Sequence, residues 1–339
     1  MTRNGDFYKD KVILVTGGAG SIGSKIVEAL LKLDVKVVRV FDNNETGLFD
    51  LEQEFSSERV RTFVGDIRDR NRLKRAFENV DIVFHAAALK HVPLCEFNPF
   101  DAVKTNVEGT QNILDVAIDE GVEKVIFVST DKAVNPNNVM GATKMLAERL
   151  TISANKYKGA KKTAFSCVRF GNVLDSRGSV VKIFKKQIER GGPVTVTDPN
   201  MTRFVMSIPD AVQMILRATE HSEGGEIFVL KMPALRIEDL AEVMIEELAP
   251  KYGYKPKDIQ IEIIGKRAGE KMYEELLTED EVRYAIESQG LYILYSDEDR
   301  IEAKCPVKEH NSKFAMQLDK EKIKKILNEE RIIPNISGF

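Results

Sequence analysis

The sequence predicts an α/β protein built on a doubly wound parallel sheet, with a smaller α/β lobe interleaved with the last strands. Near-continuous apolar, β-branched runs recur through the first half of the chain, and segments of helical period separate them. A glycine-rich turn follows the first of these runs. Strands that are apolar throughout are buried on both faces, as they are in a parallel sheet covered by helices on each side.

Strands and helices are predicted to alternate regularly up to residue 170. Each strand is a short β-branched or aromatic run, and each helix repeats apolar residues every three or four positions. The predicted strands are residues 11–16, 36–41, 60–64, 81–85, 124–129 and 163–170. The predicted helices are residues 24–33, 70–77, 99–120 and 139–156.

After residue 170 the pattern changes to shorter, mixed segments. We predict a first domain over residues 1–172 and a second lobe over residues 173–339, interleaved with the final strands of the sheet and ending in a C-terminal extension. The helices predicted here are residues 180–189, 209–219 and 237–248, and the strands are residues 194–197, 226–230 and 259–264. A last helix at 319–331 is rich in Lys and Glu, which predicts a solvated surface helix.

Composition limits the functional classes. The 339 residues are 43% hydrophobic and 30% charged, which is typical of a globular protein able to bury a large core. Fifty basic and 53 acidic residues leave a net charge of −3, which argues against nucleic-acid binding. Cys95, Cys167 and Cys305 stand far apart, and no apolar run is long enough to span a membrane. We therefore predict a cytoplasmic protein without a metal site or membrane insertion.

The glycine-rich turn predicts a dinucleotide site of the Rossmann type. Gly18, Gly20 and Gly23 form a G-x-G-x-x-G pattern between a strand and a helix. Glycines there let the backbone approach a pyrophosphate, and the positive end of the following helix faces the phosphates. An ordinary glycine turn is the alternative interpretation. The predicted cofactor contacts in this segment are Gly17, Gly20, Ser21, Ile22 and Gly23.

Three further strand ends extend the predicted cofactor site. Asp42 ends the second strand, about 20 residues after the glycine turn, where a carboxylate can accept hydrogen bonds from ribose hydroxyls. The same carboxylate would repel a 2′-phosphate, so we predict NAD rather than NADP, although Asp-Asn-Asn is also typical of a turn. Asp66 and Ile67 are predicted to contact adenine, and Ala86 and Ala87 to let the dinucleotide lie against the backbone.

Two polar segments mark a candidate site of chemistry. Thr130, Asp131 and Lys132 follow the fifth strand, and Met140 and Lys144 lie one turn apart at the start of the next helix. Doubly wound folds place their ligands at these strand ends. A lysine acts as a base only when its pKa is lowered, and an aspartic acid donates a proton only when its pKa is raised. A solvated ion pair in a loop is the alternative.

The glycine turn, the STDK tetrapeptide and the Met-x-x-x-Lys helix resemble the extended short-chain dehydrogenase/reductase superfamily. Five further segments are similar to the polysaccharide-biosynthesis nucleotide-sugar 4,6-dehydratases, which act on UDP-N-acetylglucosamine. These segments are HAAALKHVP (85–93), TDKAVNP (130–136), RFGNVLDSRGSV (169–180), TDPNMTRF (197–204) and RAGEKMYEELL (267–277). Longer members of that family carry membrane helices before this domain, and the chain resembles the short soluble form.

The resemblance implies a reaction and a role for each residue. NAD takes a hydride from C4 of the sugar, a base removes the C5 proton, an acid helps the C6 hydroxyl to leave as water, and the hydride returns to C6. Lys132 is implied as the C5 base and Asp131 as the C6 acid. Thr130 is implied to hydrogen-bond O4, and Lys144 to bind the nicotinamide ribose.

Position 140 departs from the wider superfamily, which has a tyrosine there as the base for the hydroxyl proton. Met140 has no ionisable proton. A subset of the dehydratases is similar in carrying methionine, and Asp131, or a water that it orients, could accept the O4 proton. The identity of that base and the configuration at C5 stay open.

The resemblance also implies contacts to the nucleotide sugar, since an arginine fork suits a diphosphate. Lys90 and His91 are candidates for the sugar pocket, and a structural, hydrogen-bonded role is the alternative for His91. The other implied substrate contacts are Asn172, Ser179, Val180, Arg203, Arg267 and Glu270. By the same likeness, helices 99–120 and 139–156 form the interface of a homodimer or higher homo-oligomer.

Two other functions stay open. A nucleotide-sugar 4-epimerase would need no elimination, would not require the Asp131–Lys132 pair and would ordinarily have tyrosine at position 140. A dehydratase with linked 5-epimerisation is a variant of the predicted dehydratase. A sensor or scaffold that binds NAD without turnover belongs to another class. The Asp131–Lys132 pair favours the dehydratase.

Overall fold

The computed structural model describes residues 5–295 and 310–333, so Cys305 lies outside the described residues. Within them the chain forms two compact units. The first unit comprises residues 5–170, 209–231 and 278–295. The second unit comprises residues 171–208, 232–277 and 310–333.

The strands are numbered in chain order through both units. They are β1 Val12–Thr16, β2 Val37–Asp42, β3 Val60–Val64, β4 Ile82–His85, β5 Lys124–Val128, β6 Ala164–Arg169, β7 Asn172–Val173, β8 Val194–Val196, β9 Thr202–Met206, β10 Ile227–Leu230, β11 Ala234–Arg236, β12 Ile261–Ile263, β13 Ile286–Ser288 and β14 Leu291–Leu294.

The first unit contains a nine-stranded sheet with the order β13-β14-β10-β6-β5-β4-β1-β2-β3. The strands from β10 to β3 pair in parallel, and β14 and β13 add an antiparallel edge. The predicted doubly wound parallel sheet is therefore confirmed. The strand order reverses at β1, which lies between β2 and β4, and ligands of this fold bind beside such a switch point.

Helices cover the sheet because their apolar stripes have no other place to be buried. One face of the core joins Leu14 and Phe41 of the sheet to Phe77 and Leu114 of two helices. The helices associated with this unit are Gly5–Tyr8, Ser21–Leu31, Glu45–Phe55, Arg70–Phe77, Val92–Phe97, Pro99–Val103, Gly109–Glu120, Val139–Tyr157, Ile208–His221 and Glu281–Tyr284.

Residues 99–120 are helical throughout, as predicted, but the helical pitch changes within them. A π-helical turn, Lys104–Glu108, separates Pro99–Val103 from Gly109–Glu120. The buried side chain of Asn106 lies in this turn and bonds the backbone of another segment, so a tertiary contact accompanies the change in helical pitch. Such turns occur often at functional sites.

The second unit has its own core between small sheets and three helices. Its sheets have the orders β11-β9-β7 and β12-β8, and its helices are Val180–Glu189, Ile237–Leu248 and Lys320–Glu329. The last helix was predicted to be a solvated surface helix, and this holds for only one of its faces. Ile323 and Leu327 lie one turn apart and are buried in the core, while the lysines and glutamates form the outer face.

Candidate active site

The glycine turn after β1 has a backbone that only small residues permit. Gly17 has a φ of 67°, and a Cβ atom there would lie 2.6 Å from the backbone nitrogen of Ala87. A Cβ at Gly23 would collide with the carbonyl of Gly17. The N-cap residue Gly20 has no side chain to cap the helix Ser21–Leu31, so the positive end of this helix can face an anion at the turn. The turn therefore fits a dinucleotide pyrophosphate.

The Asp42 carboxylate stands next to this turn with a fixed orientation. One oxygen accepts the N–H of Ala19 at 3.0 Å, and the other accepts the N–H of Asn44 at 2.9 Å. A carboxylate has about four acceptor positions, so it can still accept ribose hydroxyls. The neighbouring Asn44 caps the helix Glu45–Phe55 through the N–H of Gly47, so the turn chemistry at this point begins a helix.

The other predicted cofactor contacts lie at the ends of β3 and β4. Arg68 forms a bidentate pair with Asp66 and lowers the pKa of that carboxyl. Ile67 buries its side chain in the core, so the backbone rather than the side chain is available to a ligand. Ala86 and Ala87 are partly exposed beside Gly17.

The Thr130–Lys132 segment forms a tight turn after β5. Asp131 is fully buried, and one of its carboxylate oxygens accepts bonds from the Thr130 hydroxyl and the Lys132 ammonium, each at 2.9 Å. The other oxygen, Oδ2, is buried without a hydrogen-bond partner among the described residues. A buried carboxylate oxygen without a partner is costly unless it carries a proton or binds a ligand. The Lys132 side chain is 22% exposed, so the pair is not a solvated surface ion pair.

Lys144, on the helix Val139–Tyr157 that follows this turn, is a buried cation. Its ammonium donates to the carbonyl oxygen of Val128 at 2.7 Å and lies 3.9 Å from the ring centroid of Phe127. Burial lowers the pKa of Lys144 to about 8, although the carboxylate of Glu148 one turn later opposes the shift. A positive charge is thereby held at the end of β5, the strand that carries Asp131.

Met140 packs rather than lines a polar site. It is 3% exposed and lies in an apolar cluster with Cys95 and Ala102, which joins three helices of the first unit. Cys95 and Cys167 are both buried free thiols. The hydroxyl of Thr143 bonds the carbonyl of Met140 and the amide of Asn106.

His85 is a polar residue at the site that was not singled out as functional from the sequence. His85 ends β4 and is held between the hydroxyls of Thr16 and Thr110 at 2.8 and 3.0 Å. Burial lowers the pKa of His85 to about 3, with the charge of Lys144 adding to the shift, so the imidazole is neutral. The Asn106 amide bonds both the N–H and the carbonyl of Leu89.

Lys90 and His91 lie at the surface where the segment after β4 enters the helix Val92–Phe97. His91 is the N-cap residue, and no side-chain cap bond is seen within the described structure. Partial burial and the charge of Lys90 lower the pKa of the His91 imidazole. Both side chains are therefore accessible to a ligand.

The second unit holds the remaining predicted substrate contacts. Arg203 is nearly buried, donates to the carbonyl of Thr202 at 2.8 Å and lies 3.7 Å from the Glu274 carboxylate. Glu270 accepts the backbone N–H of Arg267 at 3.1 Å, which closes a turn with an exposed guanidinium. Asn172 is the first residue of β7. Ser179 precedes the helix Val180–Glu189, and its hydroxyl is buried without a hydrogen-bond partner among the described residues. Val180 packs on the core of this unit.

A family comparison decides the relationship of this chain. The family model described as "Polysaccharide biosynthesis protein" matches residues 13–296. The chain belongs to this family. The predicted resemblance is therefore confirmed at the level of the family.

Named relatives of this family member cover most of its length. A Methanocaldococcus jannaschii protein named "Uncharacterized membrane protein" is 64% identical over 327 residues, 96% of this chain and 97% of that one. A UDP-N-acetylglucosamine 4,6-dehydratase (inverting) from Campylobacter jejuni is 42% identical over 289 residues, 85% of this chain and 83% of that one. A UDP-glucose 4-epimerase from Rickettsia massiliae is 41% identical over 294 residues, 86% and 84% of the two chains.

Solved structures support the same fold. Pen from Bacillus thuringiensis superposes with a TM-score of 0.90 at 44% identity, covering 95% of this chain and 98% of that one. A double mutant of DesIV, a dTDP-glucose 4,6-dehydratase from Streptomyces venezuelae with NAD bound, gives a TM-score of 0.67 at 25% identity, covering 77% and 86%. In the part of the chain that the structure describes, no helix is long and apolar enough to cross a bilayer, and no cluster of His, Cys, Asp or Glu is arranged to hold a metal.

Proposed function

We propose that this family member is a UDP-N-acetylglucosamine 4,6-dehydratase that makes a UDP-4-keto-6-deoxy-N-acetylhexosamine for surface glycan biosynthesis. The observation that carries the proposal is the buried Asp131 carboxyl at the carboxyl end of β5. One of its oxygens has no hydrogen-bond partner among the described residues, and the other is bonded to Lys132. Relatives named as 4,6-dehydratases support the reaction class. Elimination of water needs such an acid and base side by side.

NAD is the cofactor that the glycine turn and Asp42 fit. The turn at Gly17, Gly20, Ser21, Ile22 and Gly23 would hold the pyrophosphate, and Asp42 would accept the ribose hydroxyls while repelling a 2′-phosphate. When bound, NAD supplies a hydride acceptor that returns the hydride within the same turnover. Lys144 would hold the nicotinamide ribose, and Ala86 and Ala87 would leave room for the dinucleotide.

The side chains of the turn after β5 divide the proton transfers. Lys132 would remove the C5 proton of the hexose, and Asp131 would donate a proton to the departing C6 hydroxyl. Thr130 would hydrogen-bond O4. Since Met140 lies in an apolar cluster, we assign the O4 proton to Asp131 or to a water that its free oxygen orients.

The predicted substrate contacts would bind the UDP-sugar. We assign the diphosphate to the arginines, whose planar forks suit phosphate oxygens, and the uridine and sugar to the amide, hydroxyl and carboxylate groups. These residues are Lys90, His91, Asn172, Ser179, Val180, Arg203, Arg267 and Glu270. The cytoplasmic location rests on the odd number and the wide spacing of the cysteines and stays a prediction.

Self-association through the first unit is a further part of this proposal. Three helices that pack around Cys95 and Met140 present an apolar surface to solvent, including Phe97 at 86% and Phe100 at 79% exposure. A monomer rarely leaves such residues clustered and uncovered. The apolar surface consists of Leu94, Phe97, Phe100, Val103, Met145 and Leu146. We propose that a second copy covers it in a homodimer or larger homo-oligomer.

A 4-epimerase is the second candidate, because relatives with that name match 86% of the chain, against 85% for the relatives named as dehydratases. One incubation with UDP-N-acetylglucosamine and NAD in deuterated water separates the candidates. A dehydratase gives a 4-keto-6-deoxy product with deuterium at C5, and the configuration at C5 then distinguishes retention from linked epimerisation. Formation of UDP-N-acetylgalactosamine would instead assign the epimerase, and unchanged substrate with NAD bound would assign the sensor or scaffold.

A further inference from the structure

The end of β6 holds the backbone of the turn that carries Asp131. The N–H of Ser129 donates to the carbonyl oxygen of Val168 at 2.7 Å, and the N–H of Asp131 donates to that of Phe170 at 2.9 Å. Arg169 stands between these two acceptors as the last residue of β6. The position of the turn therefore depends on the position of the end of β6.

The side chain of Arg169 is anchored by two buried carboxylates. Its Nε and Nη2 donate to Glu148 at 3.0 and 2.8 Å, and its Nη1 and Nη2 donate to Glu281 at 2.9 and 3.1 Å. The guanidinium is only 3% exposed. Two bidentate pairs on one planar group fix its orientation as well as its charge.

Each carboxylate connects Arg169 to a different part of the first unit. Glu148 lies on the helix Val139–Tyr157, one turn after Lys144. Glu281 begins a short helix, where its carboxylate accepts the N–H of Thr278 at 2.8 Å and its own N–H donates to the Thr278 hydroxyl at 3.1 Å. This reciprocal pair orients the Glu281 carboxylate toward Arg169.

The charges of this group balance those around Lys144. Arg169 with two glutamates has one net negative charge, and Lys144 supplies the opposite one. Besides Glu148, the Cys167 thiol acts on the Lys144 ammonium, and the exposed Arg149 acts on Glu281. Removing one member of such a buried set leaves an uncompensated charge next to the site.

We propose that Glu148, Arg169 and Glu281 form a positioning network, which fixes the Thr130–Lys132 turn relative to the helix that carries Lys144. The network acts through the end of β6 and touches neither substrate nor cofactor. The inference rests on the proposed function, because that function makes the turn the acid–base pair.

Two variants and a matched control test the network. Glu281→Gln keeps the shape of the side chain and removes its charge, whereas Arg169→Lys keeps the charge and loses the planar fork. Glu287→Gln removes the partner of Lys231 in an ion pair at the surface of the same unit, and it is the control. The first readout is hydrogen–deuterium exchange of single amides in the protein without ligands. We expect the amides of Ser129 and Asp131 to exchange at least about 10-fold faster in both variants, with β1 amides unchanged.

The second readout is turnover of UDP-N-acetylglucosamine. A misplaced acid–base pair lowers kcat by about 10²-fold while KM stays within about threefold. Unchanged exchange at the turn in Glu281→Gln, or a uniform rise across the sheet, would overturn the network as a positioning device. If Arg169→Lys does not fold, Glu281→Gln decides alone. A wild-type protein without turnover refutes the proposed function only, since the exchange rates still decide the inference.

Discussion

Burial of Lys144 destabilises the charged form of its side chain in the folded protein. Its pKa falls to about 8 on burial, from an ordinary value of 10.5. Since the folded pKa is the lower one, the unfolded chain binds more protons between these two pH values. The free energy of unfolding contributed by this residue therefore rises with pH across that window and is constant above it.

A comparison with Lys144→Met isolates this contribution. We expect the free energy of unfolding of the wild type, minus that of the variant, to rise by roughly 3 kcal/mol between pH 7 and pH 11. Urea unfolding at closely spaced pH values measures the difference, and the subtraction removes the other titrating groups. A difference that stays flat with pH would show that the ammonium is solvated in the native protein.

Substitutions at Met140 can distinguish a role of its thioether in the reaction from its role in packing. Its thioether fills the cluster around Cys95 and Ala102. We expect Met140→Leu to cost less than about 1.5 kcal/mol and to keep turnover within about threefold, because the volume is conserved. Met140→Tyr overfills the cluster and costs about 1–3 kcal/mol. Urea unfolding and turnover of UDP-N-acetylglucosamine measure both effects. A folded Met140→Leu protein that lost turnover would give the thioether a direct role.

At the scale of the element, the turn between β1 and its helix depends on close backbone approach. A Cβ at Gly17 would meet the backbone of Ala87, whereas a Cβ at Gly121 would meet nothing within 4 Å, although both glycines have a left-handed φ. Gly121→Ala is therefore the matched control for backbone strain alone, at about 1 kcal/mol. We expect Gly17→Ala to cost more and to weaken NAD binding at least about 10-fold. Calorimetric titration with NAD measures binding. Equal NAD affinity of the two variants would show that the glycine turn does not bind the cofactor.

The sheet was predictable because each strand is a self-contained apolar run, and the strands β1 to β6 all lie within a residue or two of the predicted ranges. The helix Glu45–Phe55 was not predicted, since only Leu48 and Leu51 are buried and its periodic pattern is weak. The π-helical turn at Lys104–Glu108 was not predicted, since it contains no glycine or proline and Gly109 follows it without interrupting the helix. Contacts of Asn106 with a distant segment accompany the turn. The buried side of the last helix, in contrast, was readable from Ile323 and Leu327.

The candidate site was predictable where function concentrates in adjacent residues. The glycine turn and the Asp131–Lys132 pair stand in short segments directly after strands. Glu148, Arg169 and Glu281 are far apart in the chain and look like ordinary charged residues, so only the fold reveals that they meet. The spacing of Lys144 and Glu148, one turn apart, was the single local indication.

At the scale of the whole molecule, the apolar surface predicts the assembly state. Phe97→Glu combined with Phe100→Glu places two charges on that surface, so we expect the particle mass to fall from that of an oligomer to that of the 339-residue monomer. Sedimentation equilibrium measures the mass. Phe314→Glu, at an exposed phenylalanine of the second unit, is the control and should leave the mass unchanged. A wild-type protein that sediments as a monomer would contradict the proposed self-association.

The most direct test of the whole account is the fate of the hydrogen on C5 of the hexose. UDP-N-acetylglucosamine labelled with deuterium at C5 is incubated with NAD and the wild type, Lys132→Ala or Lys11→Ala, the last of which removes a surface ion pair with Glu123. The account predicts that the wild type and Lys11→Ala release the label to water. Lys132→Ala should keep the label on the sugar while binding NAD as tightly as the wild type. Release of the label by Lys132→Ala at the wild-type rate would contradict the assignment of the base.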